Sequence, residues 1–257
     1  MLRVIFNQKG GVGKSTITCN LAAISAARGH KTLVVDLDAQ ANSSYYLLGK
    51  ALTNETLGIT QFFEQLLTFT FQEKKINAFI QPTHYENLSV LPSNANLSDI
   101  ESKLEARHKI YKLRDALKTL AEEYEHIFID TPPALNFYTQ SALIAADRCL
   151  IPFDCDDFSR RALYALNDNV REIQQDHNDR LRIEGIIVNQ FQPRAKLPTQ
   201  LVEELIGEGQ PVLNTRLISS VKVRESHQVA KPLIYFAQDH KMTEVFNQLY
   251  DELEKRG

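Results

Sequence analysis

The chain of 257 residues is 43% hydrophobic and 24% charged, a composition that suits an ordinary globular protein able to bury a sizeable core. Its formal net charge of −3 excludes attraction of the molecule as a whole to a polyanion, so any nucleic-acid contact must come from a local patch. No segment approaches the roughly 20 continuous apolar residues that span a bilayer, and Cys19, Cys149 and Cys155 lack metal-site spacing, which fits a reduced cytoplasmic interior.

Leu2 to Asn7 opens the chain as an apolar strand, leaving no room for a signal peptide. Ser15 to Arg28 follows as a helix, closed by Gly29 in the position that favours a left-handed cap. KTLVVDLD is a second strand ending in Asp36 and Asp38. The stretch from Tyr45 to Leu104 is less regular, with a helix over Ile59 to Leu67 and a strand over Asn87 to Leu91. Beyond it come a helix near Tyr111 to Tyr124, strand HIFID, helix Thr139 to Ala146, strand CLIPF, helix Arg160 to Gln174 and strand IEGIIVN. Such alternation predicts an α/β fold, a doubly wound, mostly parallel sheet with helices on both faces. The unbroken apolar runs VIF, TLVV and GIIV agree, because central parallel strands are buried on both sides. No linker, composition shift or repeat divides the chain, so residues 1–257 are expected to form one domain. Ligands then belong at the carboxyl ends of the strands.

One such end carries Lys9-Gly10-Gly11-Val12-Gly13-Lys14-Ser15-Thr16, set between an apolar strand and a helix, the context in which a glycine loop cradles phosphates. Glycines let backbone N–H groups turn inward on oxygens, and the helix N-terminus adds a favourable dipole for an anion. Lys14 supplies a point charge to the β- and γ-phosphates, Ser15 a hydroxyl to Mg²⁺, and Thr16 a contact to the α-phosphate. ATP and Mg²⁺ are therefore the expected cofactors. A phosphate-bound Mg²⁺ needs oxygen ligands and fixed waters, so Asp36, Asp38 and Asp130 at strand ends are its candidate partners. A strand-terminal aspartate is also a natural helix N-cap, and for Asp36 the two roles weigh equally.

Lys9, ahead of the glycines, makes the string resemble the deviant P-loop of the ParA/MinD family, and the likeness to ParA-family partition ATPases runs over nearly the whole chain. NLSVLPSNANLSDIESKL is similar to the family's stretch before its coordinating helix, and DTPPALNFYTQSALIAAD to its switch II region. IPFDCDDFSRRAL resembles the segment where the family usually has a glutamate, a place taken here by Asp156. The resemblance implies that Lys9 reaches the nucleotide of a second copy, so that ATP binding and homodimerisation are one event. It implies that Asp130 holds Mg²⁺ through water, that Asp38 orients the attacking water with Asp36 in support, and that Lys9, Lys14 and Asp38 carry a slow, partner-stimulated ATP hydrolysis. Asn189 stands where the family places an adenine contact; the other reading is a turn residue capping its strand. Ala39 and Ala41 replace the Pro and Gly common after the switch I aspartate.

Arg194, Lys196, Arg216, Lys222, Arg224 and Lys231 are spread through the last third of the chain. Scattered basic residues usually form a solvated face. VKVRES nevertheless resembles the family's nonspecific DNA-binding region, which makes Lys222, Arg224 and Arg194 the expected DNA contacts, salt-dependent and blind to sequence. The expected function is an ATP-sandwich dimer on nucleoid DNA, released when a ParB-like or other cargo adaptor stimulates hydrolysis, which positions a chromosome, plasmid or protein assembly in the cytoplasm. Two other readings stand beside it. A MinD-type membrane-associated ATPase requires a basic amphipathic C-terminal helix, whereas FNQLYDELEKRG is mixed in charge. A P-loop metabolic or redox enzyme, such as an iron protein bridging a cluster between subunits, would draw on Cys149 and Cys155. The chain starts at its first strand, so the N-terminal helix-turn-helix of larger plasmid partition ATPases, and with it operator-specific autoregulation, is not expected.

Overall fold

A computed structural model describes residues 1–53, 55–68, 73–154 and 160–256. In chain order these form β1 (Leu2–Ile5), α1 (Lys14–Ala27), β2 (Thr32–Asp36), α2 (Asn42–Leu48), α3 (Ile59–Gln65), β3 (Gln81–Pro82), β4 (Leu88–Leu91), α4 (Leu97–Ala106) and α5 (Lys112–Leu120). They continue with β5 (His126–Asp130), α6 (Phe137–Ala145), β6 (Arg148–Asp154), α7 (Arg160–Asp176), β7 (Arg182–Asn189), α8 (Lys196–Gly207), α9 (Val221–Gln228), α10 (Leu233–Phe236) and α11 (Lys241–Glu254).

The strands make one seven-stranded sheet in the order β3-β4-β2-β5-β1-β6-β7. Every pairing is parallel except that of β3 with β4. All residues of β1, β2 and β5 are buried, as their unbroken apolar runs require when helices cover both faces. One apolar core lies under α3 to α8, and a second on the other face is filled from α1, α2, α10 and α11. The chain leaves β1 toward β2 on one side, and later crosses from β5 over β1 to β6. That reversal opens a crevice at the carboxyl end of β1, where the glycine loop begins.

The predicted doubly wound sheet is therefore present, whereas β3, α2, α4 and α8 to α10 were not among the predicted elements. The edge strand β3 is only two residues long, too short to leave a pattern, and ends in a proline that an edge tolerates. Helix α2 starts on Ala41 in a left-handed conformation and is held by a carboxylate from β2, a partner invisible to a local pattern. Gly29 closes α1 as expected, at φ 94. Helix α11 turns Met242, Phe246, Leu249, Tyr250 and Leu253 into the second core. Each such burial contributes roughly 1.5–3 kcal/mol, so its apolar face is part of the fold and not available to a bilayer surface. Among the described residues no helix is long and apolar enough to cross a membrane.

Candidate functional site

The chain leaves β1 at Ile5 and is pinned before it turns: Asn7 donates its side-chain amide to Pro152 O at 2.7 Å and accepts the Lys9 N–H at 2.9 Å. The loop then enters α1 through Gly13, at φ 89 and ψ 20. A β-carbon there would lie 2.4 Å from Asn189 Nδ2, so the backbone angle favours glycine and the Asn189 amide occupies the space a side chain would need. Asn189 in turn donates to Val12 O at 2.9 Å, tying the end of β7 to the loop. Lys14 is buried, and its Nζ donates to Lys9 O at 3.0 Å, folded back across its own loop. Burial pulls the Lys14 pKa below the usual lysine range, while Asp130 and Asp38 act in the opposite direction. An anion delivered to this loop would meet an amine that lacks solvent and a row of N–H groups at a helix start.

Three carboxylates lie beneath. Asp130, fully buried at the end of β5, accepts the Ser43 hydroxyl at 2.7 Å through Oδ2, while its buried Oδ1 has no hydrogen-bond partner among the described residues. Burial raises its pKa, an effect that the Ser15 and Ser43 hydroxyls and Lys14 partly offset. Such an orphaned oxygen needs a proton, a water or a cation. With the Ser15 hydroxyl beside it, the pair fits a Mg²⁺ whose remaining ligands are phosphates and waters. Among the described residues no three His, Cys, Asp or Glu side chains converge on a metal.

Asp36 is engaged by the chain itself. Its Oδ2 accepts both the N–H and the hydroxyl of Ser44, at 2.8 and 2.7 Å, and its Oδ1 accepts the Asp38 N–H at 3.1 Å. It supplies an acceptor to the first turn of α2, whose N-cap position is Ala41, and braces the turn after β2. Burial, and after it Asp130, raise its pKa. Asp38 is 8% exposed, accepts the Gln40 N–H at 2.9 Å and faces the cavity above the loop.

That cavity, about 450 Å³, is lined by Gly10, Gly11, Gly13, Lys14, Ser15, Thr16, Asp38, Gln40, Asn42, Pro133 and His227. A second cavity of about 260 Å³ adjoins it across Gly11, Gly13 and Thr16, walled by Ile17, Asn189, Leu217, Ile218, Met242 and Phe246, with Arg224 at its side. The first is lined largely by glycines and polar or charged side chains, the second by a mixture of apolar side chains with Asn189, Gln190 and Ser220. His227 escaped the sequence reading, because a histidine in a helix far down the chain carries no local signal.

The three expected DNA contacts do not share one setting. Arg194 is exposed in the loop before α8. Lys222 bonds Glu225 at 2.6 Å and lies 5.3 Å from the Phe236 ring centre, whereas Arg224 is exposed beside the smaller cavity. Cys149 is fully buried within β6, closed to any shared cluster. Cys155 and Asp156 lie outside the described residues.

Residues 2–183 match the family described as an AAA domain. The chain is 36% identical over 255 residues to the chromosome partitioning protein ParA of Myxococcus xanthus, covering 98% of this chain and 87% of that protein. It is 31% identical over 255 residues to the sporulation initiation inhibitor protein Soj of Bacillus subtilis, covering 98% of each. A putative plasmid partition protein of Borrelia burgdorferi, solved bound to AMPPNP, shares the fold with a TM-score of 0.81 at 24% identity, covering 100% of this chain and 99% of that one.

Proposed function

The chain belongs to the ParA family of partition ATPases, and from that premise we propose that it is a nucleotide-operated positioning switch whose ATP and Mg²⁺ are held by the loop from Lys9 to Thr16. The observation that carries this reading is the buried Lys14 amine, which among the described residues donates to its own loop carbonyl, together with Asp130, near enough to act on its charge and with an Oδ1 that has no hydrogen-bond partner among those residues. Triphosphate and metal would satisfy both at once. The Borrelia protein of the same fold, solved bound to AMPPNP, supports a nucleotide ligand.

In this reading the loop N–H groups and Lys14 grip the β- and γ-phosphates, Ser15 and Asp130 hold the Mg²⁺, and Asn189 braces the loop beside the base. Bound Mg²⁺ neutralises the charge that develops on the transferred phosphoryl group. Asp38 positions the attacking water, and Lys9 reaches the nucleotide of a second copy. Residues 1–257 act as one unit. The closed dimer presents Arg194, Lys222 and Arg224 of both copies to DNA phosphates, and a ParB-like adaptor or other cargo protein triggers hydrolysis and release. The burial of α11's apolar face favours a nucleoid partner over a membrane one.

Titration with a fluorescent ATP analogue in the presence of Mg²⁺ tests the foundation. Lys14→Ala removes charge-assisted hydrogen bonds of roughly 1.5–3 kcal/mol each, so affinity should fall at least about tenfold. Equal affinity for the wild type and the variant would place the nucleotide elsewhere.

A further inference from the structure

Opposite the glycine loop, the larger cavity is walled by His227, in the last turn of α9. Its Nε2 lies 2.8 Å from the Thr16 hydroxyl in the first turn of α1. The ring stacks on Tyr46 of α2, with centroids 4.0 Å apart and planes within 17° of parallel. The neighbouring Ser226, the one fully buried residue of α9, meets the Tyr46 hydroxyl at 2.8 Å. Asn20 of α1 donates to the same hydroxyl at 3.4 Å, and its oxygen accepts the Leu233 N–H at 2.9 Å. Helix α9 is therefore joined to α1 and α2 by polar and ring contacts as well as by Val223 against the second core, and the His227 to Thr16 contact lies in the wall of the phosphate cavity.

The chemistry of the His227 to Thr16 contact changes when a phosphate arrives. A threonine hydroxyl has a single proton to give. Once that proton points at a phosphate oxygen, the imidazole retains the contact only by donating Nε2–H to the threonine oxygen or to the phosphate itself. Burial holds the ring below its ordinary pKa, so it is neutral near pH 7 with one N–H available. A hydrogen bond to an anion is stronger than one between neutral groups. An occupied cavity thus grips α9 more firmly than an empty one.

We propose that His227 is a phosphate-contacting residue that, together with Thr16, transmits nucleotide occupancy to α9, the helix that carries Lys222 and Arg224. This rests on the reading of the Lys9 to Thr16 loop as the ATP site. It gives the switch a direct mechanical link within one subunit, independent of dimer closure.

The test compares His227→Phe and His227→Leu, which keep bulk but donate nothing, with His227→Gln, which restores a donor. ADP and ATP analogues are titrated into each full-length variant, and hydrogen exchange of residues 221–228 is followed with and without nucleotide. The two non-donating variants should bind ADP and ATP roughly tenfold more weakly and lose the nucleotide-induced protection of α9, while His227→Gln recovers both. A folded His227→Phe or His227→Leu with wild-type affinity and wild-type protection overturns the proposal. So does a loss in His227→Gln as large as in the other two, which would mark a packing role. Lys14→Ala separates the two levels: if it binds nucleotide like the wild type, the site itself is misplaced and His227 falls with it, whereas if it fails to bind while His227→Phe binds normally, only the His227 link is wrong.

Discussion

Ala41 holds φ 54 and ψ 33 at the entry to α2, a left-handed conformation in which a β-carbon crowds the next carbonyl at a cost of roughly 1–2 kcal/mol. Alanine in place of the glycine common to the family is thus an observed strain next to Asp38, in the turn that Asp36 braces from below. Ala41→Gly should relieve it, less the entropy glycine adds to the unfolded chain, for a net gain of up to about 1 kcal/mol. Urea unfolding checks this: the midpoint rises with an unchanged slope. An unmoved midpoint would mean that the strain is absorbed elsewhere. The aspartate at this turn was readable from its place at a strand end. Its partner Ser44 was not, since it lies eight positions further on, inside α2, and only the path of the chain brings them together.

Helices and strands carry the next level of response. Residues two apart on a helix do not share a face, so Lys222 and Arg224 work separately: one is engaged with Glu225 and Phe236, the other stands beside the smaller cavity. Lys222→Glu should therefore weaken DNA retention and lower the salt slope by about one while nucleotide affinity holds, whereas Arg224→Glu should disturb both. Filter binding over a salt series, set against nucleotide titration, distinguishes them; identical profiles for the two variants would argue for a shared surface instead. At the opposite end of the sheet, His126 of β5 joins α1 and α11 through Ser25 at 2.8 Å and Tyr250 at 3.2 Å. Burial pushes its pKa from 6.5 down to about 4. Its folded pKa lies below the unfolded one, so its contribution is complete above pH 6.5 and is lost as pH falls toward 4. At 1.36 kcal/mol per unit the loss is on the order of 2–3 kcal/mol. Urea midpoints at pH 7.5 and 4.5 should differ less in His126→Gln than in the wild type, and an equal difference would assign the acid sensitivity to other groups.

At the scale of the molecule, the proposed switch predicts an association state that follows hydrolysis. Asp38 lines the phosphate cavity but has no part in the loop itself, so Asp38→Ala should keep ATP, fail to turn it over and remain a dimer on gel filtration. The wild type should return to monomer as ATP is consumed. A monomeric Asp38→Ala with ATP bound would remove Asp38 from water positioning and leave the dimer without its timer. What the amino-acid sequence determined by itself was whatever is encoded within a few residues: the buried parallel strands, the loop from Lys9 to Thr16 between strand and helix, the helix stop at Gly29 and the carboxylates at strand ends. Short-range periodicity and backbone angle suffice for those. Only the tertiary structure decided which of these groups meet. Asn189 against Gly13, Asp36 under Ser44, the orphaned oxygen of Asp130 and His227 on Thr16 all depend on strand order and helix packing. The reason is that a hydrogen-bond partner 177 or 211 residues away leaves no periodic trace in the chain.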